Sequence, residues 1–193
     1  MDVDRMIAAA KLPRELLPWN AGKKINAAEV QGDAFLFDVC MAGLHLAGGA
    51  GEGLGGYTIM DDSDAEIRKH LNAVRHARGR VLKTGLGFGV FVRMCLEKPE
   101  VEHLDVVEID ADIIEHFGAE FSGNPRVTIH HADAFEFDPA GRRWHLGWHD
   151  IYCEGNDGLA DLHARLILKF APFCDLQGAW NFPRWAKRYP GII

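Results

Sequence analysis

Beyond residue 80, short apolar runs take turns with stretches whose apolar positions recur at helical spacing. Val81-Leu82-Lys83-Thr84 reads as a strand and residues 90–97 as a helix. Residues 103–109 form a nearly unbroken apolar run, the pattern of a strand buried on both faces. A helix over 111–120, strands over 126–131 and 144–152, a helix over 159–170 and a last strand over 176–181 complete the series. Strand–helix alternation predicts a mainly parallel sheet with right-handed crossovers. The expected strand order is 3-2-1-4-5. Ligands should then sit beyond the carboxyl ends of the strands, at the switch point between the first and fourth.

The first 62 residues follow another pattern. Residues 4–17 have helical apolar spacing but are broken by Pro13 and Pro18. Residues 34–39 and 57–60 read as strands flanking a glycine-rich stretch, 48–56. This predicts a β-hairpin with a long tip, or alternatively a lid over a pocket. The stretch is no phosphate-binding P-loop, because no Gly-Lys-Ser/Thr follows its glycines. Ser63-Asp64-Ala65-Glu66 is a capping box that should start a helix ending before Gly79. Asp61, Asp62 and Asp64 suit the N-terminus of that helix; the alternative is a negative wall beside a ligand. The expected division is a helix and β-hairpin appendage over 1–62 and a Rossmann-like α/β domain over 63–193, shortened at its C-terminus.

Composition narrows the functional classes. A chain of 193 residues with 48% hydrophobic content can bury a full core. The formal net charge of -7 speaks against non-specific nucleic-acid binding, which needs cations to displace phosphate counterions. Arg184, Lys187 and Arg188 read as a solvated end. The sequence opens without a secretory signal and has no apolar run of membrane-spanning length, so a cytoplasmic location is expected. Cys40, Cys95, Cys153 and Cys174 form no C-x-x-C pair and read as reduced thiols.

The chemistry concentrates at the predicted strand ends. Gly85, Gly87 and Gly89 supply a tight strand-to-helix turn that lets a ligand approach the backbone. Glu108 ends the next strand, where an acid can hold ribose hydroxyls. Asp133 follows the third, where it can accept a hydrogen bond from an adenine amino group. A dinucleotide fingerprint would need glycine where Val90 stands, so S-adenosylmethionine is the expected cofactor. At the end of the fourth strand lie His149 and Asp150, both candidates for a base that removes a proton from an attacking amine. Alternation puts them on opposite faces. Ser63 and Ser122 are the only serines and neither sits in G-x-S-x-G, which disfavours a serine hydrolase. No zinc-type spacing of His and Cys occurs, so no metal is expected. The absence of an Asn-Pro-Pro-Tyr-like motif disfavours the usual amino-methylating DNA enzymes.

Val81-Leu82-Lys83-Thr84-Gly85-Leu86-Gly87-Phe88-Gly89 resembles motif I of class I S-adenosylmethionine-dependent methyltransferases. The run from Leu96 to His103 into Val106-Val107-Glu108-Ile109-Asp110 resembles the spermidine synthase branch. Asp133-Ala134-Phe135 is similar to that branch's adenine-binding segment. The resemblance covers roughly residues 80–150. It implies that Glu108 binds the ribose, that Asp133 and Ala134 line the adenine, and that Asp150 is the proton-accepting carboxylate. The chain departs from the pattern at Lys83, where many methyltransferases carry an acid. It also keeps only the first acid of the segment Asp150-Ile151-Tyr152-Cys153-Glu154. The expected function is methyl transfer to a small-molecule acceptor. The alternatives are aminopropyl transfer and a non-catalytic S-adenosylmethionine-binding protein. Without further strands the fifth would be an exposed edge, which a second copy in a homodimer or the tail over 183–193 could cover.

Overall fold

The computed structural model describes residues 2–11, 13, 25–31, 34–39, 57–61, 64–151, 159–180 and 190–193. Helix α1 (Val3–Ala10) is capped by Asp2, whose side chain accepts from the Arg5 backbone N–H. It ends well before residue 17, because Pro13 lacks the N–H that a continuing helix needs. Three strands follow, β1 (Ile25–Gln31), β2 (Ala34–Val39) and β3 (Tyr57–Asp61). They form an antiparallel sheet in the order β1-β2-β3. The expected pairing of the second and third is present, but the first strand was not legible. Ile25-Asn26-Ala27-Ala28-Glu29-Val30-Gln31 lacks a clean polar–apolar alternation, and pairing with β2 supplies what its pattern does not. The glycine-rich stretch 48–56 lies outside the described residues, as does the cap residue Ser63.

Helix α2 (Asp64–His76) leads into the main sheet. Lys98 closes its far end: Nζ donates to the carbonyls of Val74 and Ala77 at 2.8 and 2.6 Å. Those terminal carbonyls have no partner within the helix. The main sheet comprises β4 (Gly79–Thr84), β5 (Val101–Glu108), β6 (Val127–His131), β7 (Trp144–His149) and β8 (Cys174–Ala179). Its order is β6-β5-β4-β7-β8, and every pairing is parallel. This is the expected 3-2-1-4-5 order of a Rossmann-like parallel sheet. Helices α3 (Val90–Leu96), α4 (Ala111–Phe117) and α5 (Leu159–Phe170) make the crossovers.

Two apolar layers flank the sheet. Alternation along β4 sends Val81 to the layer under α1, α2 and α3, and Leu82 to the layer that includes Leu166 and Phe170 of α5. The register then sets the functional edge. Thr84 lies beside Val107 and His149, and Glu108 beside His131. The residues following β4, β5, β6 and β7 therefore emerge along one edge.

The far side of β8 is partly covered. The Gln177 N–H donates to the Gly191 carbonyl at 2.6 Å, and the Ile193 N–H donates to the Gln177 carbonyl at 2.9 Å. Gln177 and Ile192 form a parallel bridge, and Ile193 packs against the larger apolar layer. Within the expected tail over 183–193, residues 191–193 lie along this strand. Among the described residues, no helix is long and apolar enough to cross a membrane.

Candidate functional site

The turn after β4 is dictated by its glycines. Gly85 has φ +78°, and a Cβ there would stand 2.0 Å from the backbone oxygen of Asp150. Its N–H donates to the Val107 carbonyl at 2.8 Å. The turn is thus wedged between the tips of β5 and β7, where only a residue without Cβ fits. Gly89 opens α3 at φ +77°, with the Phe121 ring 2.8 Å from its Cβ position. Gly87 also takes a positive φ.

Glu108 binds this turn directly. The residue is 7% exposed. Oε2 accepts from the Leu86 N–H at 2.6 Å, and Oε1 accepts from the N–H groups of Ile109 and Asp110, both at 2.9 Å. A carboxylate offers about four acceptor positions, so one remains for a ligand hydroxyl, and a second opens if the Leu86 bond yields. Beside it, Ile109 is 63% exposed, an unusual setting for a large aliphatic group and a flat apolar contact for a ring. Asp133 lies two residues beyond β6. Its Oδ1 accepts from the Phe135 N–H at 2.8 Å, and its carbonyl accepts from Glu136 and Phe137. One carboxylate oxygen thus builds the turn that fixes the direction of the other. Ala134 is buried in the α5-side layer, so only its backbone can meet a ligand. Buried acid, positive-φ turn, exposed aliphatic and second acid on one edge make a donor and acceptor set that fits an adenosyl group.

The tips of β4 and β7 hold an ion pair. Lys83 is 2% exposed, and its Nζ donates to Asp150 Oδ2 at 3.1 Å and to the Thr84 carbonyl at 3.1 Å. A cation on a strand buried on both faces needs a counter-ion. That requirement was readable from the position of Lys83, although its partner was not. Asp150 keeps a quarter of its side chain exposed (24%). Burial alone would raise its carboxyl; the Lys83 ammonium outweighs this and holds it below the usual carboxylate value.

His149 faces the other way, as alternation requires. It is fully buried and stacked on Phe170. Nε2 lies 3.1 Å from Gln177 Oε1, and Nδ1 lies 3.1 Å from Thr84 Oγ1. The amide oxygen only accepts, so Nε2 carries the proton and Nδ1 accepts from the threonine hydroxyl. Gln177 Nε2 in turn donates to the Ile167 carbonyl at 3.0 Å. Burial pushes the imidazole down to about 3. The structure therefore brings Asp150 to the glycine turn and ties His149 into a wire between β4, β8 and α5. On the Asp150 face, the Trp148 indole N–H donates to His70 Nδ1 at 3.2 Å, and burial lowers His70 to about 4.

No set of three or more His, Cys, Asp or Glu among the described residues is arranged to hold a metal ion. A concavity of about 340 Å³ lined by Arg75, Arg78, Lys98 and His145 lies at the amino edge of the sheet, opposite these groups.

No protein-family model matches the chain. The ribosomal RNA small subunit methyltransferase A of Nitrosospira multiformis is 43% identical over 58 residues, covering 30% of this chain and 21% of that protein. Its namesake from Aromatoleum aromaticum is 38% identical over 73 residues, covering 37% and 26%. The chain thus spans about a quarter or less of the length of these curated relatives. Among solved structures, the 23S rRNA methyltransferase ErmE is 18% identical with a TM-score of 0.47, covering 60% of this chain and 44% of that one. A dimethyladenosine transferase from Plasmodium falciparum is 16% identical with a TM-score of 0.47, covering 65% and 44%.

The curated relatives correct one expectation. Charge and motif had favoured a small-molecule acceptor and spoken against nucleic acid, yet both relatives are named for ribosomal RNA. The physical reason is that net charge sums over the whole chain and reports non-specific attraction. It does not report what a local surface recognises. Neither relative is named for a spermidine synthase.

Proposed function

We propose that this protein is an S-adenosylmethionine-dependent methyltransferase whose acceptor is RNA, with ribosomal RNA the favoured class. The observation that carries this reading is the buried Glu108 carboxylate, hydrogen-bonded to the glycine turn at the adjoining strand tip. The 43% and 38% identities to ribosomal RNA methyltransferases support the acceptor class. In this reading Gly85, Gly87 and Gly89 let the backbone approach the cofactor. Glu108 takes the ribose, Asp133 the adenine amino group, and Ile109 and the Ala134 backbone flank the ring. When bound, S-adenosylmethionine supplies an electrophilic methyl group on a sulfonium.

The chain's own contribution at the fourth strand is alignment, on which in-line methyl transfer chiefly depends. Asp150, held ionised by Lys83, accepts a hydrogen bond from the acceptor's attacking group and orients it. Its low proton affinity makes it a better orienter than base. His149 keeps Thr84, and so the start of the glycine turn, in place. We further propose that 1–62 is an appendage to the methyltransferase domain over 63–193, and that the protein works in the cytoplasm.

Calorimetry with S-adenosylmethionine, S-adenosylhomocysteine and NAD, followed by transfer of labelled methyl to small-subunit ribosomal RNA, tests the reading. Binding of the two adenosyl sulfur compounds and label in RNA are expected. Binding of NAD alone, or label in RNA no greater than in a blank without protein, would overturn it.

A further inference from the structure

Helix α5 carries an imidazole that the reading above leaves without a role. His163 is 1% exposed. Its Nε2 is a buried side-chain atom with no hydrogen-bond partner among the described residues. An unpaired buried donor or acceptor costs about 1–3 kcal/mol. Such an atom is explained by strain, by an unseen water or ion, or by a functional role. The position of His163 favours a role at the site. Helix α5 starts eight residues after Ile151, which follows the tip of β7, and packs on β7 and β8. His163 is on its second turn. The charges that act on it are those of Asp150 and Lys83, the pair at the tips of β4 and β7. Burial lowers its proton affinity to about 4, so the ring is neutral at physiological pH.

We infer that His163 belongs to the acceptor-binding part of the site, its Nε2 making a hydrogen bond to a polar edge group of the nucleobase that receives the methyl. A neutral imidazole nitrogen is either an N–H donor or a lone-pair acceptor. It can match a ring nitrogen, a carbonyl or an exocyclic amine of a base. Without charge it has no advantage toward phosphate, which selects cations. His163 takes no part in the exchange of the methyl group. The assignment rests on the RNA methyltransferase reading, because a base edge is the ligand that supplies such a group at this place.

The test uses the full chain with His163→Phe, which removes the polar atom, and His163→Gln, which keeps one. Stability, affinity for S-adenosylmethionine and methyl transfer to small-subunit ribosomal RNA are measured for each. For His163→Phe we expect a melting temperature equal to or above that of the parent and unchanged cofactor affinity. Its KM for RNA should rise by about tenfold, the scale of one hydrogen bond. His163→Gln should recover part of the loss. Parent-like KM in a stable His163→Phe protein overturns the inference and leaves Nε2 a site for a buried water. If His163→Phe does not fold, the imidazole nitrogen signal is followed by NMR as adenosine is added with S-adenosylhomocysteine. A signal that moves supports the assignment and one that stays overturns it. Failure of the parent to bind S-adenosylmethionine would refute the function itself. The NMR titration with adenosine alone then still decides whether Nε2 meets a ligand.

Discussion

At the residue scale, the pair formed by Lys83 and Asp150 decides how the strand tips behave. Lys83 stands on a strand buried on both faces and has one carboxylate to neutralise it among the described residues. Breaking a buried pair leaves the remaining charge desolvated, and costs more than the pair itself contributes. Because Asp150 is partly exposed, the penalty is smaller than in a dry core. Lys83→Met should lower the unfolding free energy by about 2 kcal/mol in urea titration. The double variant Lys83→Met/Asp150→Asn should recover most of it, since neither charge is then stranded. A double variant no more stable than the single would show that the two side chains act independently. The identity of Lys83 as a departure from the methyltransferase pattern was legible in the sequence. Its pairing was not, because the partners are far apart in the chain and meet only where β4 and β7 lie side by side.

At the element scale, the sheet has two edges of different design. β6 is short and only partly buried. β8 is buried over its last three residues and gains a parallel partner from residues 191–193. Two backbone hydrogen bonds and the packing of Ile193 hold that segment. Removing residues 190–193 exposes the Gln177 N–H and carbonyl and an apolar contact. We expect a loss of about 1–2 kcal/mol in chemical denaturation, on the scale of two backbone hydrogen bonds. Light scattering at high concentration should show more self-association, because an uncovered edge invites strand pairing. An unchanged melting temperature would mean that the segment only rests on the edge. The parallel strands were legible as elements because burial on both faces makes them continuous apolar runs. Strand β1 was not, because its pairing with β2 outweighs a weak local pattern.

At the scale of the whole molecule, buried histidines set the response to acid. His70 and His163 are lowered to about 4 and His149 to about 3, each mainly by burial. Below pH 6.5 the unfolded chain takes up protons on these rings while the folded chain does not. Stability therefore falls as pH drops from about 6.5 toward 4, by up to about 1.4 kcal/mol per pH unit for each ring. Asp105 adds to this lower down. Burial opposes its ionisation, but His130, Trp144 and Arg80 outweigh that and hold it at about 2. Its contribution is full above the ordinary carboxylate value and fades as pH falls toward 2. Urea midpoints at pH 7.5 and pH 5 should differ strongly, with the lower at pH 5. Equal midpoints would mean that these rings are protonated in the folded state.

The sequence by itself determined the sheet order, the glycine turn and the acid that follows the second strand. These are local or periodic properties: an apolar run, a residue without Cβ, a side chain fixed by its place at a strand end. It also set the opposite facing of His149 and Asp150, since alternation is geometry of a single strand. Only the tertiary structure decided what those residues meet. Lys83 found Asp150, His149 closed a wire through Gln177 to α5, and His163 was buried on α5 with one nitrogen unpaired among the described residues. Each of these depends on elements distant in the chain being packed together, and no local pattern encodes which partner a buried polar group will find.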